Sequence, residues 1–387
     1  MCSLKELGIE IRIFELPRAD NPIFRRVALT VGATEIDTIE KFHEPGSFSF
    51  SVPTGNRVAR KIKIGQCVLI DRTFWGIIDD MKKTATAAGK MMTVEGRQLK
   101  GLTMDRVTVP PSFNEHQMVG AQGYDTVIGS TETCMKHFVH NNMTLGTRAI
   151  AGLEILPDQG RGVQADKYMS RHDKLSDVLL DLGEAGGLGY DIVPDLAAGK
   201  FIFDVICGAD RSATQRDRPP VIFEIPRRSV ASQDYSFATS GAKNTFYATM
   251  AGAEFADEAF TMIYAHDGEE IQTGIDRREV QMTISATHPE AGQEYAELRR
   301  LAMIQAQRFL PDEGFQCDVT KIRHKYKADY WLGDIVTAQN REWGVVVHAP
   351  VTAVSTKYSQ NGIQRRVTFG DAPLNVFGRL QRQIRGG

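Results

Sequence analysis

Three residues in one short stretch carry metal-ligand chemistry: Cys134, His137 and His140. A thiolate and imidazoles are what a zinc ion takes, and positions three apart share a helix face. Cys134 with His137, or His137 with His140, could therefore meet one ion. The outer pair is about 240° apart around a helix, so the three do not converge. No fourth ligand lies nearby, and the stretch reads as a buried cysteine beside two partly exposed histidines, with no metal.

Other candidates resolve the same way. GEAGGLG (Gly183 to Gly189) has the composition of a phosphate loop. Phosphate cradles follow a strand and open a helix, because the helix N-terminus supplies free N–H groups. This run closes a helix and precedes a strand, so Gly183, Gly186 and Gly187 read as helix-end and turn residues. The doublets Asp79-Asp80 and Glu269-Glu270 cannot act as carboxylate pairs, since adjacent strand residues point to opposite faces. Arg211, Arg216 and Arg218 lie among acids and prolines and read as an exposed loop. Trp75 and Trp343 could stack on sugars or bases, but each precedes a glycine in matching surroundings, which points to structural anchors. The sequence holds no His-Glu-x-x-His, Gly-x-Ser-x-Gly or Walker-type motif. It predicts no catalytic residue, no cofactor and no metal: not an enzyme.

Those matching surroundings are the main signal in the chain. IGQCVLIDRTFWGIID (Ile64 to Asp79) returns as LGDIVTAQNREWGVVV (Leu332 to Val347). Gly65 with Gly333, Val68 with Val336, Trp75 with Trp343 and Gly76 with Gly344 coincide at one constant offset. Each copy reads as strand, turn and strand. Each is followed by a further strand-like run, GKMMTVEGR (Gly89 to Arg97) or NGIQRRVTFG (Asn361 to Gly370), with extra residues before the second. This is a distant internal duplication of a small β-domain.

The rest of the chain frames that repeat. At 387 residues it is too long for one core. With 42% apolar and 24% charged residues and a net charge of −2, composition gives no case for binding nucleic acid or a membrane surface. No apolar run approaches the roughly 20 residues that span a bilayer, and the N-terminus lacks a signal-peptide pattern. Cys2, Cys67, Cys134, Cys207 and Cys317 are scattered and odd in number, as for free thiols made in a reducing cytosol.

Up to residue 110 the chain is strand-like, with SFSFSV (Ser47 to Val52) alternating cleanly between Pro-Gly turns. Tyr124 to His140 has near-helical apolar spacing, Lys174 to Glu184 reads as a second helix, and a hairpin turns around Pro194–Gly199. Asp210 to Arg228 reads as a linker or exposed loop. Strands resume at Tyr235–Thr239, Asn244–Ala251, Phe260–Tyr264, Val280–Ile284 and Phe315–Ile322. Between them Thr287-x-x-Glu290 caps a long helix at about 288–310. The expected fold is mainly β with α+β parts: a β-barrel over 1–110, an α/β insert over 111–228, a second β-barrel over 229–375 interrupted by the helix, and a basic tail over 376–387.

This combination resembles the baseplate hub, or tail-associated, proteins at the tail tip of long-tailed bacteriophages and related contractile injection systems. The resemblance lies in PGSFSFSVP, in IGQCVLI…FWGIIDD…VEGRQLKGL and in GDIV…EWGVV…VTFG. It implies a homotrimeric ring of six similar units. Such a ring adapts a sixfold tail tube or distal tail ring protein to a threefold spike or fibre protein, around a DNA channel without sequence-specific contacts. It implies a virion location, after synthesis in the host cytoplasm, and no membrane insertion. A distal-ring or tail-tube-like virion protein is the alternative, and a cell-wall-directed hydrolase the second.

Overall fold

The structure is a computed structural model that describes residues 8–18, 23–87, 89–110, 124–250, 260–265, 269–284, 298–299, 302–303, 306, 309–320, 323–360 and 362–370. The expected basic tail and most of the long helix lie outside these.

The first part is built of seven strands: β1 (Ile11–Glu15), β2 (Arg25–Thr30), β3 (Glu35–Lys41), β4 (Ser47–Pro53), β5 (Cys67–Ile70), β6 (Phe74–Thr86) and β7 (Gly89–Gln98). They pair antiparallel in the order β3-β4-β7-β6-β5-β1-β2. The alternation in SFSFSV works as period 2 demands: Phe48, Phe50 and Val52 are buried, with Ile11, Ile13, Val68, Ile70 and Val94 in the same core.

A closed barrel does not form among the described residues. Closure needs the outer edge of β3 to meet β2, and that edge is already taken. β20 (Val345–Ser359), from the far end of the chain, pairs with β3 from Ala353↔Lys41 to Tyr358↔Ile36. The two repeats therefore share one large antiparallel sheet instead of forming two separate barrels.

The insert comprises β8 (Asp125–Ser130), α1 (Thr131–Met143), β9 (Leu153–Ile155), β10 (Gln164–Ser170), α2 (Leu175–Gly186), β11 (Leu188–Asp195) and β12 (Lys200–Cys207). The helix expected across 124–140 is a strand first. Ser130 keeps extended backbone, and its hydroxyl accepts the Thr133 N–H at 3.2 Å, an N-cap that starts α1 at Thr131 instead of Tyr124. Gly187 ends α2 in the left-handed region, as a C-cap glycine should. The insert has no separate core. Met135, Phe138 and Leu179 share one cluster with Phe14, Leu69 and Ile77 of the N-terminal strands.

Asp210 to Arg228 is not a loose linker. The Arg211 N–H donates to the Ile335 carbonyl at 2.8 Å. The short strand β13 (Ile222–Phe223) runs parallel to β19 (Ile335–Asn340). The remaining strands are β14 (Val230–Ala238), β15 (Thr245–Met250), β16 (Phe260–Tyr264), β17 (Glu279–Ile284), β18 (Asp312–Val319) and β21 (Gly362–Gly370).

By contact the chain divides into two units, residues 1–233 with 317–369, and 234–316 with 370–387. This cuts across the expected divisions, which follow type of structure. The second unit has its own sheet, β16-β15-β17. On it pack Leu298, Ala302 and Ala306, described residues of the expected helix that are helical and buried.

Glu132 shows how the insert is held. It is fully buried in the first turn of α1. Arg161 donates to both its oxygens, from Nε at 2.8 Å and Nη2 at 2.9 Å, and the Lys136 Nζ lies 2.7 Å away. Arg161 also donates to the Val205 carbonyl at 2.6 Å, tying helix to hairpin. Burial alone raises the Glu132 pKa, but the donors from Arg161 and Lys136 outweigh it and hold the carboxyl at about 2. A folded pKa below the unfolded value of 4.5 gives stabilisation that is full above that pH and lost as pH falls toward 2. Glu132→Gln is expected to lose about 3 kcal/mol at neutral pH, because Arg161 and Lys136 lose their buried counter-charge and keep only the partly exposed Asp204. It should also flatten the fall in stability between pH 4.5 and 2, read by urea unfolding across that range.

Candidate functional site

Of the residues with metal-ligand or acid-base potential, some are engaged elsewhere or buried and the others are exposed. His137 bonds Asp125 at 2.7 Å and Asn141 at 3.1 Å, and His140 bonds the Thr144 hydroxyl at 2.9 Å. Cys134 is buried, which pushes its thiol up to about 11. Among the described residues no group of three His, Cys, Asp or Glu could hold a metal ion. Asp79 sits 3.5 Å from Arg97, while Asp80, Glu269 and Glu270 are exposed. Arg216 and Arg218 are exposed as read, but Arg211 is structural: its Nε donates to Asp334 at 2.8 Å and its guanidinium lies over the Trp331 ring.

What the structure does bring together is the repeat. Gly65 and Gly333 both have positive φ, +81° and +85°. Each donates its N–H, at 2.8 Å, to the second strand of its hairpin, Gly65 to Ile78 and Gly333 to Val351. The next residue returns the bond in both copies, Gln66 accepting from Ile78 and Asp334 from Val351 at 2.9 Å. Val68 and Val336 follow on the first strand, both fully buried.

The second strands also match, but not as the constant offset placed them. Gly65 meets Ile78 after 13 residues and Gly333 meets Val351 after 18, so the later hairpin is five residues longer. Trp75 and Gly76 lie within β6, opposite Leu69 and Val68. The positions equivalent to them in β20 are His348 and Ala349, opposite Thr337 and Val336. Trp343 and Gly344 fall in the turn at the hairpin tip, and Trp343 is 49% exposed. Trp75 is half-buried with its ring 5.5 Å from Phe14. The extra residues that the sequence put after the second hairpin are inside it.

Past this point the copies run in step. Each has a register shift, between Ile78 and Asp80 in β6 and between Val351 and Ala353 in β20. Val94 of β7 and Val367 of β21 then take equivalent buried places. The match extends to the outer strands. Ser51 of β4 meets Thr93 of β7, hydroxyl to hydroxyl at 3.2 Å. At the equivalent place Asp318 of β18 takes two bonds from Arg366 of β21, at 2.7 and 3.0 Å. β14 flanks β18 as β3 flanks β4. Each repeat is thus five strands, β3 to β7 and β14 with β18 to β21.

Two contacts lock the joint between repeats. Lys357 of β20 lies 2.5 Å from Glu35 and 3.9 Å from Asp37 of β3. Just past the end of β3, the Phe42 ring fills the space where side chains on Gly189 and Gly333 would stand. One aromatic ring therefore touches the insert and the later repeat. Beside it Lys100 is buried, its Nζ donating to the carbonyls of Lys41 (2.6 Å), Phe42 (3.0 Å) and Tyr190 (3.0 Å). Burial lowers its pKa to about 8 against the pull of Asp191 and Glu40, so it is charged at neutral pH. Nothing in the sequence marks this lysine, since lysines are ordinarily exposed.

The junction makes a sharp pair of tests. Gly65→Ala meets open space and bears only left-handed strain, about 1 kcal/mol. Gly333→Ala bears the same strain and sets a methyl 2.4 Å from the Phe42 ring, so it should lose at least about 2 kcal/mol more. Lys100→Met should lose about 2 kcal/mol by removing three charge-assisted bonds. Urea midpoints of the three variants against the parent decide both, and equal losses for the two alanines would show that Phe42 moves freely.

Known proteins repeat this architecture. A tail protein from Neisseria meningitidis MC58 superposes with a TM-score of 0.55 at 14% identity, over 94% of this chain and 96% of its own. The 43 kDa tail protein of prophage MuSo2 from Shewanella oneidensis does so with 0.54 at 13%, over 93% and 98%. Prophage tail protein gp18 from Listeria monocytogenes EGD-e gives 0.50 at 12%, over 98% of each chain. At such identities the likeness is one of fold. No curated protein matches the chain. The sequence itself, from residue 10 to 371, matches the Siphovirus ReqiPepy6 Gp37-like family, and the chain belongs to that family of phage tail proteins.

Proposed function

We propose that this chain is the structural hub of a phage tail tip. Three copies close into a ring that adapts a sixfold tail tube above to a threefold spike or fibre assembly below, with a channel for DNA. The observation that carries this reading is the pair of five-strand repeats joined edge to edge in one chain. A sixfold surface can be met by three chains only if each presents two like units, and a closed ring needs the same contact to recur around it. The family supplies the setting, a phage tail and hence a virion. His137, His140 and Asp79 are held in ion pairs and hydrogen bonds, which favours a scaffold over a hydrolase.

Light scattering on the purified protein, over a wide concentration range, is expected to give three times 43.0 kDa. A hexamer would instead fit a distal ring subunit, and a stable dimer would contradict the hub. On a cell-wall zymogram no lysis band is expected.

A further inference from the structure

Within the two repeats, two strand edges lack a partner among the described residues. The sheet path ends at β14. β6 pairs with β5 only as far as Ile77, and from Asp80 to Thr86 it pairs with β7 alone. Residues 82–86 of β6 are exposed, so this arm of the β6–β7 hairpin stands with little core beneath it. A two-stranded arm of that kind is marginal alone, and an open edge is a template for another strand. The β14 edge carries Phe237, which is 59% exposed.

The repeat says what each edge fits. Inside the chain, β20 (the fourth strand of the later repeat) pairs with β3, the first strand of the earlier one. The equivalent strands in the opposite sense are β6 and β14, the two strands of the repeats with open edges. We propose that β6 of one chain pairs with β14 of a second copy, as β20 pairs with β3 within the chain. Three such joints, alternating with three internal ones, close a ring of six repeats, so the inference rests on the trimeric reading above and supplies its interface.

The register follows residue by residue. The shared bulge sets Met81, Lys82 and Lys83 of β6 equivalent to Val354, Ser355 and Thr356 of β20. Asp318 bonds Ser232 at 2.6 Å, and the rings of Phe315 and Tyr235 are 6.0 Å apart, and both contacts fit one antiparallel register with Ser232 opposite Asp318 and Tyr235 opposite Phe315. Ser232 is then equivalent to Glu35, which faces Ser51, and Tyr235 to Thr38. Since Val354, Ser355 and Thr356 face Glu40, Ile39 and Thr38, Met81 faces Phe237, Lys82 faces Ser236 and Lys83 faces Tyr235 of the second copy. Met81 against Phe237 is a thioether–aromatic pair, covering the exposed ring. Lys82 and Lys83 run beside a strand carrying Asp234, the polarity that Lys357 shows toward Glu35 and Asp37 in the internal joint.

Cysteine cross-linking tests the register directly. In a Cys2→Ser, Cys207→Ser background, Lys82→Cys and Ser236→Cys are made as separate proteins, and likewise Met81→Cys and Phe237→Cys. Facing pairs alternate between wide and narrow, so one of these two adjacent pairs has the Cα separation a disulfide accepts. Mild oxidation of a mixed pair is expected to give a linked dimer on a non-reducing gel, with neither protein linking alone. A chain carrying both cysteines should give covalent trimers. If the assembly has trimer mass and neither pair links, the seam is wrong and the ring reading stands. If each single variant links to itself, the contact is isologous and the seam is overturned. Linked chains without trimer mass support the seam and overturn the closed ring, and a monomer that never links overturns both.

Discussion

A β-strand has two edges, and the fold turns on what fills the second edge of β20. At 15 residues β20 outruns its own hairpin: β19 covers its first part, and β21 with β3 flank the rest. On the edge turned away from β21, the backbone groups along Ala353 to Tyr358 have a partner only because the strand that begins the other repeat lies alongside. That one joint prevents the first repeat from closing on itself and makes two units separated by some 250 residues into one sheet. Everything near it is arranged to fix its position. Lys357 pairs with two carboxylates across it, and Lys100 holds the chain just past β3 against the insert.

Burying a lysine to do this is an expensive choice chemically, and its geometry explains why it holds. An ammonium has three N–H donors, and Lys100 directs all three to main-chain carbonyls from two different parts of the chain. Glu132 solves the mirror problem in the insert, where a buried carboxylate takes donors from Arg161 and Lys136. In both cases a single buried charge spans elements that hydrophobic packing alone would leave free to slide.

The sequence disclosed the repeat, and the particular residues show how far. Gly65 and Gly333 were legible because left-handed backbone selects glycine, and Val68 and Val336 because both fill a core. Trp75 and Trp343 aligned by coincidence of spacing: a five-residue insertion inside the later hairpin carried the second Trp-Gly to the tip, and a constant offset could not reveal it. The strand before α1 was hidden because Val127 and Ile128 lie four and three before Thr131, in step with the helix that follows, and short apolar runs fit either period. Arg211 looked like loop charge since its partner, Asp334, is more than a hundred residues away. Lys100 left no local trace, because its three carbonyl partners come from distant parts of the chain, and Glu132 showed only Lys136 four residues on, since Arg161 is brought to it by the fold.

The places where the repeats have diverged are as informative as those where they agree. The earlier hairpin turns tightly at residues 71–73 and sets Trp75 against Phe14. The later one is longer, puts His348 at the equivalent place, and carries an exposed Trp343 at its tip with Val346 beside it, 55% exposed. Strand pairing, register and bulge are the same in both, so the backbone frame is common while the tips differ. In a ring of three chains this difference would alternate around the circumference, giving three long aromatic tips and three short ones on a frame that repeats six times. A surface of that kind can present sixfold spacing through its strands and threefold identity through its turns. Duplication followed by divergence of one turn is therefore sufficient, in physical terms, to let one chain face two symmetries.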